Sequence, residues 1–465
     1  MTARLTPRMG GLALSLALCT LLTPAAAQQA PPDPAAWLRS GPMLGPSSMT
    51  ATTVWLQTRQ PVRAQVRFWK QGKPDSARLS DSVQTSAAGD HIARIALTGL
   101  EFGTRYEYEV YLDGLRVARP YPLAFQTQPS WLWKSNPPVP PDFRFAVGSC
   151  AYVNDPPYDR PDPPYGGEYE IFGAIAQQKP DFMLWLGDNV YLREADWESE
   201  AGIRYRYAKD RSLPEMQALL GTAHHYAIWD DHDFGPNDSD RTYGLREESL
   251  RVFQDYWLNP TYGTADTPGV FTRFGWADVD FFLLDDRYHR SPNRMPQGPD
   301  TRMLGPGQML WLKESLANSR ATFKVGVTGN QVLNPLVRYE GLGKFPGEQQ
   351  ELLGFLREAR ISGVVFLTGD RHHTELIRRD LPGLYPLYDF TSSPLTSRAA
   401  DIQKEADNPA RVPGTWVRGK RNFGIVEVTG PLDDRRLTLR TLDAQGKELW
   451  NHTIQASELS FPKAK

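Results

Sequence analysis

The stretch Leu184-Trp185-Leu186-Gly187-Asp188-Asn189-Val190-Tyr191 decides how the rest of the chain is read. An apolar run stops abruptly at a carboxylate, an amide and, three residues after the Asp, a phenol. The run predicts a buried strand over 181–186, a sharp turn at Gly187, and Asp188 and Tyr191 projecting from the strand's carboxyl end. In open α/β sheets that end is where ligands bind. Taken alone, the stretch reads more readily as an Asn/Asp turn between a strand and a helix. Its recurrence decides between the two.

Similar runs end in reactive residues at 143–150 (closing on Gly148-Ser149-Cys150), 226–233 (Trp229-Asp230-Asp231-His232-Asp233), 279–285, 323–330 and 364–370. Between them, 306–316 places Met309, Leu312 and Leu316 at helical spacing behind a Pro suited to a first turn, so it reads as a covering helix. These segments predict an α/β layered domain with its chemistry along one rim. The segment 422–454 predicts antiparallel strands that finish the sheet.

Upstream, 35–128 is rich in short alternating runs such as Thr53-Val54-Trp55-Leu56, which predict a small all-β sandwich. Residues 100–110 look like the tyrosine corner of immunoglobulin-like or fibronectin-like sandwiches. Asn136-Pro137-Pro138-Val139-Pro140-Pro141 is a stiff connector. Residues 1–27 carry Arg4, Arg8, an apolar run and Pro24-Ala25-Ala26-Ala27, matching a Sec-type secretory signal. The expected organisation is therefore signal peptide 1–27, β-sandwich 28–130, Pro-rich linker 131–142 and catalytic domain 143–460, in a secreted or periplasmic protein. No later run is apolar and long enough to span a bilayer.

With 40% hydrophobic and 11% aromatic residues the composition is that of a globular protein, and a formal net charge of −2 gives no field for nucleic acid as main partner. Of two cysteines, Cys19 leaves with the signal, so Cys150 stands alone and forms no internal disulfide.

Trp229-Asp230-Asp231-His232-Asp233 packs three carboxylates around one His, a repulsion that a cation would relieve. Gly369-Asp370-Arg371-His372 offers a carboxylate and an imidazole two residues apart. Asp188, Asp231, Asp370 and Asn330 are hard oxygen donors suited to calcium or another divalent ion. Cys150, Tyr191 and His372 form a softer set that suits ferric iron better than magnesium. Paired cations bridged by a carboxylate are a template for phosphoryl displacement, and His232 is placed to donate a proton to the leaving group.

Together, Gly148-Ser149-Cys150, 187–191, 229–233, Leu284-Asp285-Asp286-Arg287, 304–312, Thr368-Gly369-Asp370-Arg371-His372 and 391–397 resemble the PhoD-like (alkaline phosphatase D) family of the calcineurin-like metallophosphoesterases. The resemblance implies a layered metallophosphoesterase β-sandwich flanked by helices, hydrolysing small-molecule phosphate esters by metal-bound hydroxide attacking phosphorus in line. It implies Fe3+ held by Cys150, Asp188, Tyr191 and His372. Asp188 is then shared with Ca2+ at Asp231 and Asp370, with Asn330 a further ligand. Asp230 is expected to be structural, and Asp285 and Arg287 to form an ion pair. The Pro-rich segment 155–165 is expected to wall the pocket. A phosphodiesterase or phospholipase at the same site, or a silent surface-binding protein, are the rival readings; monoester or diester preference and oligomeric state are not legible.

Overall fold

The computed structural model describes residues 1–3, 5–6, 33–156, 158–161 and 163–461. Most of the segment read as an export signal lies outside the described residues. Met1–Asp33 separates from Pro34–Lys465, which forms one compact unit.

In that unit the run around Trp185 is a strand, β5 (Phe182–Leu186), with all five residues buried. The side chains alternate between two cores, as a period of two requires. Phe182, Leu184 and Leu186 face a second sheet, whereas Met183 and Trp185 face helices. Burial on both faces explains why the text is continuously apolar rather than alternating.

The first sheet has nine strands, using β1 (Leu38–Leu44), β2 (Thr52–Thr58), β3 (Ile92–Leu97), β4 (Phe143–Gly148), β5, β6 (His224–Ile228), and three later strands. Those are β7 (Asn422–Thr429), β8 (Arg436–Asp443) and β9 (Glu448–Gln455), antiparallel to one another as expected of the carboxyl-terminal segment. The order is β9-β8-β7-β4-β5-β6-β1-β2-β3, with β4, β5 and β6 parallel. The second sheet contains Val279–Leu283, Phe323–Thr328, Val364–Thr368 and Leu387–Thr391 as parallel neighbours, edged by antiparallel Thr272–Trp276 and Glu375–Arg379.

The two sheets pack through Phe145, Phe182, Tyr226, Phe274 and Phe281; the Phe145 and Phe182 rings stack at 4.8 Å. Burying each such side chain contributes ~1.5–3 kcal/mol. Helices Pro306–Asn318 and Pro346–Glu358 cover the outside of the second sheet through Met309, Leu312, Leu316, Leu352 and Leu356. Pro306 opens its helix, where the lost N–H has no intrahelical partner anyway. The fold is thus a two-sheet α/β sandwich flanked by helices.

The amino-terminal region is all-β, with a core between β1–β3 and a sheet built on Arg63–Lys70 and Arg105–Leu112. Its tyrosine corner forms: the Tyr106 hydroxyl accepts from the Glu101 N–H at 2.9 Å. Yet β1 pairs in parallel with β6, so one layer of this region continues the first sheet instead of standing apart beyond the stiff connector.

Candidate metal centre

The parallel register carries on past the strand ends. The Cys150 N–H bonds to Gly187 O at 3.3 Å and the Ala151 N–H to Asp188 O at 2.8 Å, which sets Cys150 beside Asp188. Gly187 has φ +90°, and a Cβ there would meet the Asp230 Cβ at 2.7 Å. A side chain at 187 would therefore push the two loops apart. Asp233 fastens them: its carboxylate accepts from Asn189 N at 3.0 Å, Asn189 Nδ2 at 2.9 Å and Asp230 N at 3.0 Å.

Four sequence-selected residues sit in the left-handed region: Cys150 at φ 63°, Asp188 at 52°, Asp370 at 65° and His372 at 52°. Non-glycine residues held there cost ~1–3 kcal/mol each and cluster where function requires a direction no relaxed backbone gives.

The result is a buried convergence of donors. Cys150 Sγ, a carboxylate oxygen of Asp188 and a ring nitrogen of His372 lie within 4.8 Å of one another, as do donors of Asp188, Asp231 and His232. Asp188 belongs to both groups. Cys150 Sγ is 3.5 Å from Asp188 Oδ2 and takes a 3.2 Å contact from the Ser393 hydroxyl. Tyr191 Oη stands 3.1 Å from His372 Nε2. Above them opens a cleft of about 490 Å³ whose lining includes Asp188, Asp231, His232, Asp370 and His372.

The electrostatics ask for a cation. Burial, then the Asp231, Asp233 and Asp370 carboxylates, push Asp188 well above the usual carboxylate range. Burial raises Asp370 to about 7, against the pull of Arg371. The Cys150 thiol and Tyr191 phenol are pushed well up by burial and by Asp188. A bound cation reverses each of these tendencies.

Beside this group lies a second acidic cluster that the chain pairs with its own arginines. Arg287, fully buried, pairs with Asp230 and at 2.6 Å with Glu340; Arg290 reaches Glu340 at 2.7 Å. Asn330 belongs here: its Nδ2 donates to Asp230 at 3.0 Å, and its Oδ1 accepts from Arg290 at 3.1 Å. Asp230 therefore braces arginine while Asp231 faces the cleft. The ion pair expected between the side chains of Asp285 and Arg287 is not made; Asp285 instead accepts from the Arg287 and Tyr288 N–H groups and from Trp229 Nε1 at 2.8 Å. Two residues apart on a tight turn, the carboxylate is captured by local backbone donors and the long guanidinium reaches past it.

His232 is held against Asp188, whose Oδ1 accepts its backbone N–H at 3.3 Å, and its ring lies 4.3 Å from that of Tyr191. Burial lowers its pKa to about 4. Nδ1 is buried without a hydrogen-bond partner, and Nε2 is 3.3 Å from Arg160 Nη2.

Arg160, unremarked in the sequence, comes from the Pro-rich segment and stacks over Tyr165 at 4.5 Å. Both line the cleft, so this segment does wall it. Glu340 and Arg290 were likewise invisible, since neither follows an apolar run.

The fold and this paired-donor rim define a metallophosphoesterase class. A family model described as PhoD-like phosphatase matches residues 145–429, and the chain belongs to that family. Residues 35–130 match a domain of unknown function, DUF7800. Alkaline phosphatase D of Bacillus subtilis (strain 168) is 22% identical over 388 residues, 69% of this chain and 64% of that relative, so the chain spans just under two thirds of its length. A solved structure of PhoD superposes with a TM-score of 0.70 at 16% identity, covering 89% of this chain and 88% of that one. The purple acid phosphatase PPD1 from yellow lupin (Lupinus luteus) gives 0.62 at 11% identity, covering 91% and 77%.

Proposed function

We propose that the protein is an exported, metal-dependent phosphoric ester hydrolase of the alkaline phosphatase D type, acting on small phosphate esters. The observation that carries this reading is the buried donor group Cys150, Asp188 and His372, sharing Asp188 with Asp231 and His232 at the floor of an open cleft. The donor set fits the expected metals: thiol, phenol and imidazole from Cys150, Tyr191 and His372 for ferric iron, and oxygens from Asp188, Asp231 and Asp370 for calcium. Asn330, engaged with Asp230 and Arg290, serves more simply as a brace for the oxygen donors than as a ligand. When bound, the ions would neutralise phosphate charge and make a water molecule nucleophilic near pH 7.

The chain's own residues supply the rest. Arg160 presents a guanidinium at the cleft beside His232, suited to clamp a phosphoryl oxygen by charge-assisted bonds. His232, its ring against that of Tyr191, is positioned to pass a proton to the leaving alkoxide once the negative charge of a bound phosphate offsets the burial that keeps the ring neutral. Tyr165 and Arg160 narrow the entrance and bias the site toward small esters.

The test is hydrolysis of p-nitrophenyl phosphate and bis-p-nitrophenyl phosphate by the full chain, beside Asp188→Ala. Turnover of either ester that disappears in the variant supports a hydrolase. A wild-type protein that binds metal but turns over neither ester would leave a binding protein as the better reading.

A further inference from the structure

The same central strands carry a second cavity at their other end. It holds about 410 Å³ where the amino ends of β5 and β6 meet the amino-terminal sheet, remote from the carboxyl-end rim. Pro122, Phe125, Ala176, Ala218 and Trp276 give it an apolar floor. Volume and lining are those of a small-molecule site rather than a packing defect.

Its charged lining residues are two cations, Arg105 and Lys179, and one acid, Asp181. Arg105 and Lys179 border it, and among the described residues neither makes an ion pair within 4.0 Å. Asp181, the acid that lines it, accepts the Arg144 N–H at 3.0 Å; burial raises its pKa against the pull of that bond and of Arg105, which lies near it without closing to ion-pair distance among the described residues. His224 spends its ring nitrogens on Gly45 O at 2.7 Å and Gln126 O at 3.1 Å. Tyr121, by contrast, lines the cavity with a hydroxyl that is buried and has no hydrogen-bond partner. A buried, unmet donor is unfavourable unless something accepts from it. At Gly173, on the helix Ile171–Gln177, an added Cβ would meet nothing within 4 Å, so the cavity's wall is left open by a residue with no side chain.

We propose that this cavity binds an apolar organic anion, an aliphatic or aromatic acid whose body covers the Phe125 and Trp276 floor and whose acid group engages Arg105, Lys179 and the Tyr121 hydroxyl. The site sits between the amino-terminal region and the catalytic sheet, so its occupant would bridge the two.

The full chain is titrated with 8-anilinonaphthalene-1-sulfonate, an aromatic anion whose fluorescence reports burial, and the complex is then challenged with dodecanoate. One saturable site per chain, displaced by dodecanoate, is expected. Gly173→Phe should weaken binding at least about tenfold by filling the cavity, without a helix penalty because Gly is the poorest non-proline helix former. Arg105→Ala with Lys179→Ala should weaken it by a similar factor and remove its salt dependence. Tyr121→Phe, which deletes only a hydroxyl, should weaken it a few-fold and serves as the check if the larger changes disturb folding, as judged by thermal melting. No saturable site, or unchanged binding in Gly173→Phe, overturns the cavity assignment; unchanged binding without both cations overturns the anion assignment.

Discussion

Two buried acidic clusters stand side by side at the carboxyl ends of the strands, and they are neutralised differently. Around Asp230, Asp286 and Glu340 the chain supplies Arg287 and Arg290, both fully buried. Around Asp188, Asp370 and Cys150 no guanidinium comes within ion-pair distance among the described residues; burial raises the acids in both clusters, Asp230 and Asp286 included, so the paired guanidinium is what sets the two apart. Asp231 lies at the border: burial opposes its charge, but His232 and then Arg287, 3.7 Å away, hold it below the usual range. Arginine closes the first cluster into a brace. Its absence leaves the second with buried acids that no side-chain cation pairs, the setting in which a metal ion binds with most gain.

The comparison breaks most visibly at Asp188. Asp188→Ala should lower ester hydrolysis by about 10³-fold or more, since it removes the donor common to both groups, yet the metal-free variant should melt no lower than metal-free wild type, because a crowded carboxylate has been relieved. Arg287→Met should do the reverse. Its fold should lose about 3–5 kcal/mol in denaturant unfolding, the cost of leaving buried Asp230 without its guanidinium and Glu340 with Arg290 alone.

A histidine outside both clusters provides a control on acid sensitivity. His225 accepts from Trp185 Nε1 at 2.9 Å, and burial lowers its pKa to about 3. Because the unfolded chain protonates near 6.5 while the fold resists until about 3, stability falls as pH drops through that window. The contribution should be about 2 kcal/mol over the two pH units below 6.5, and His225→Gln should flatten that limb of the stability curve. The smallest effect is expected at Arg160. Arg160→Ala should reduce kcat/KM roughly tenfold, about 1.4 kcal/mol, mainly through weaker capture of the phosphoryl group, while Arg160→Lys restores part of it.

The two clusters also mark where sequence reading succeeds. Strands buried on both faces leave an apolar run in the text, and a polar residue at its end is conspicuous; Cys150, Asp188, Tyr191, Asp231, Asp370 and His372 were all found that way or through the family's motifs, and they meet at one rim. The layered fold and the Tyr106 corner were legible for the same reason, periodicity and local spacing. What escaped was long-range pairing. Arg287 reaches Asp230 and Glu340 across the chain, and no local pattern distinguishes that from a bond to its neighbour Asp285. Asn330 reads as an oxygen donor from its type; the contacts its amide makes to Arg290 and Asp230 lie across the chain and leave no local pattern. The joining of β1 to β6 was hidden too, since a Pro-rich stretch announces a break in the text but not in the hydrogen bonding.

The most direct test of the central claim, that the cluster around Asp188 is completed by cations, is elemental analysis of the purified full chain together with its visible absorption spectrum. The account predicts iron and calcium held by the protein and a charge-transfer band that Tyr191→Phe or Cys150→Ser removes or shifts. A colourless protein that hydrolyses phosphate esters with only zinc or magnesium would contradict the iron assignment, and full activity after complete removal of metal would contradict the claim itself.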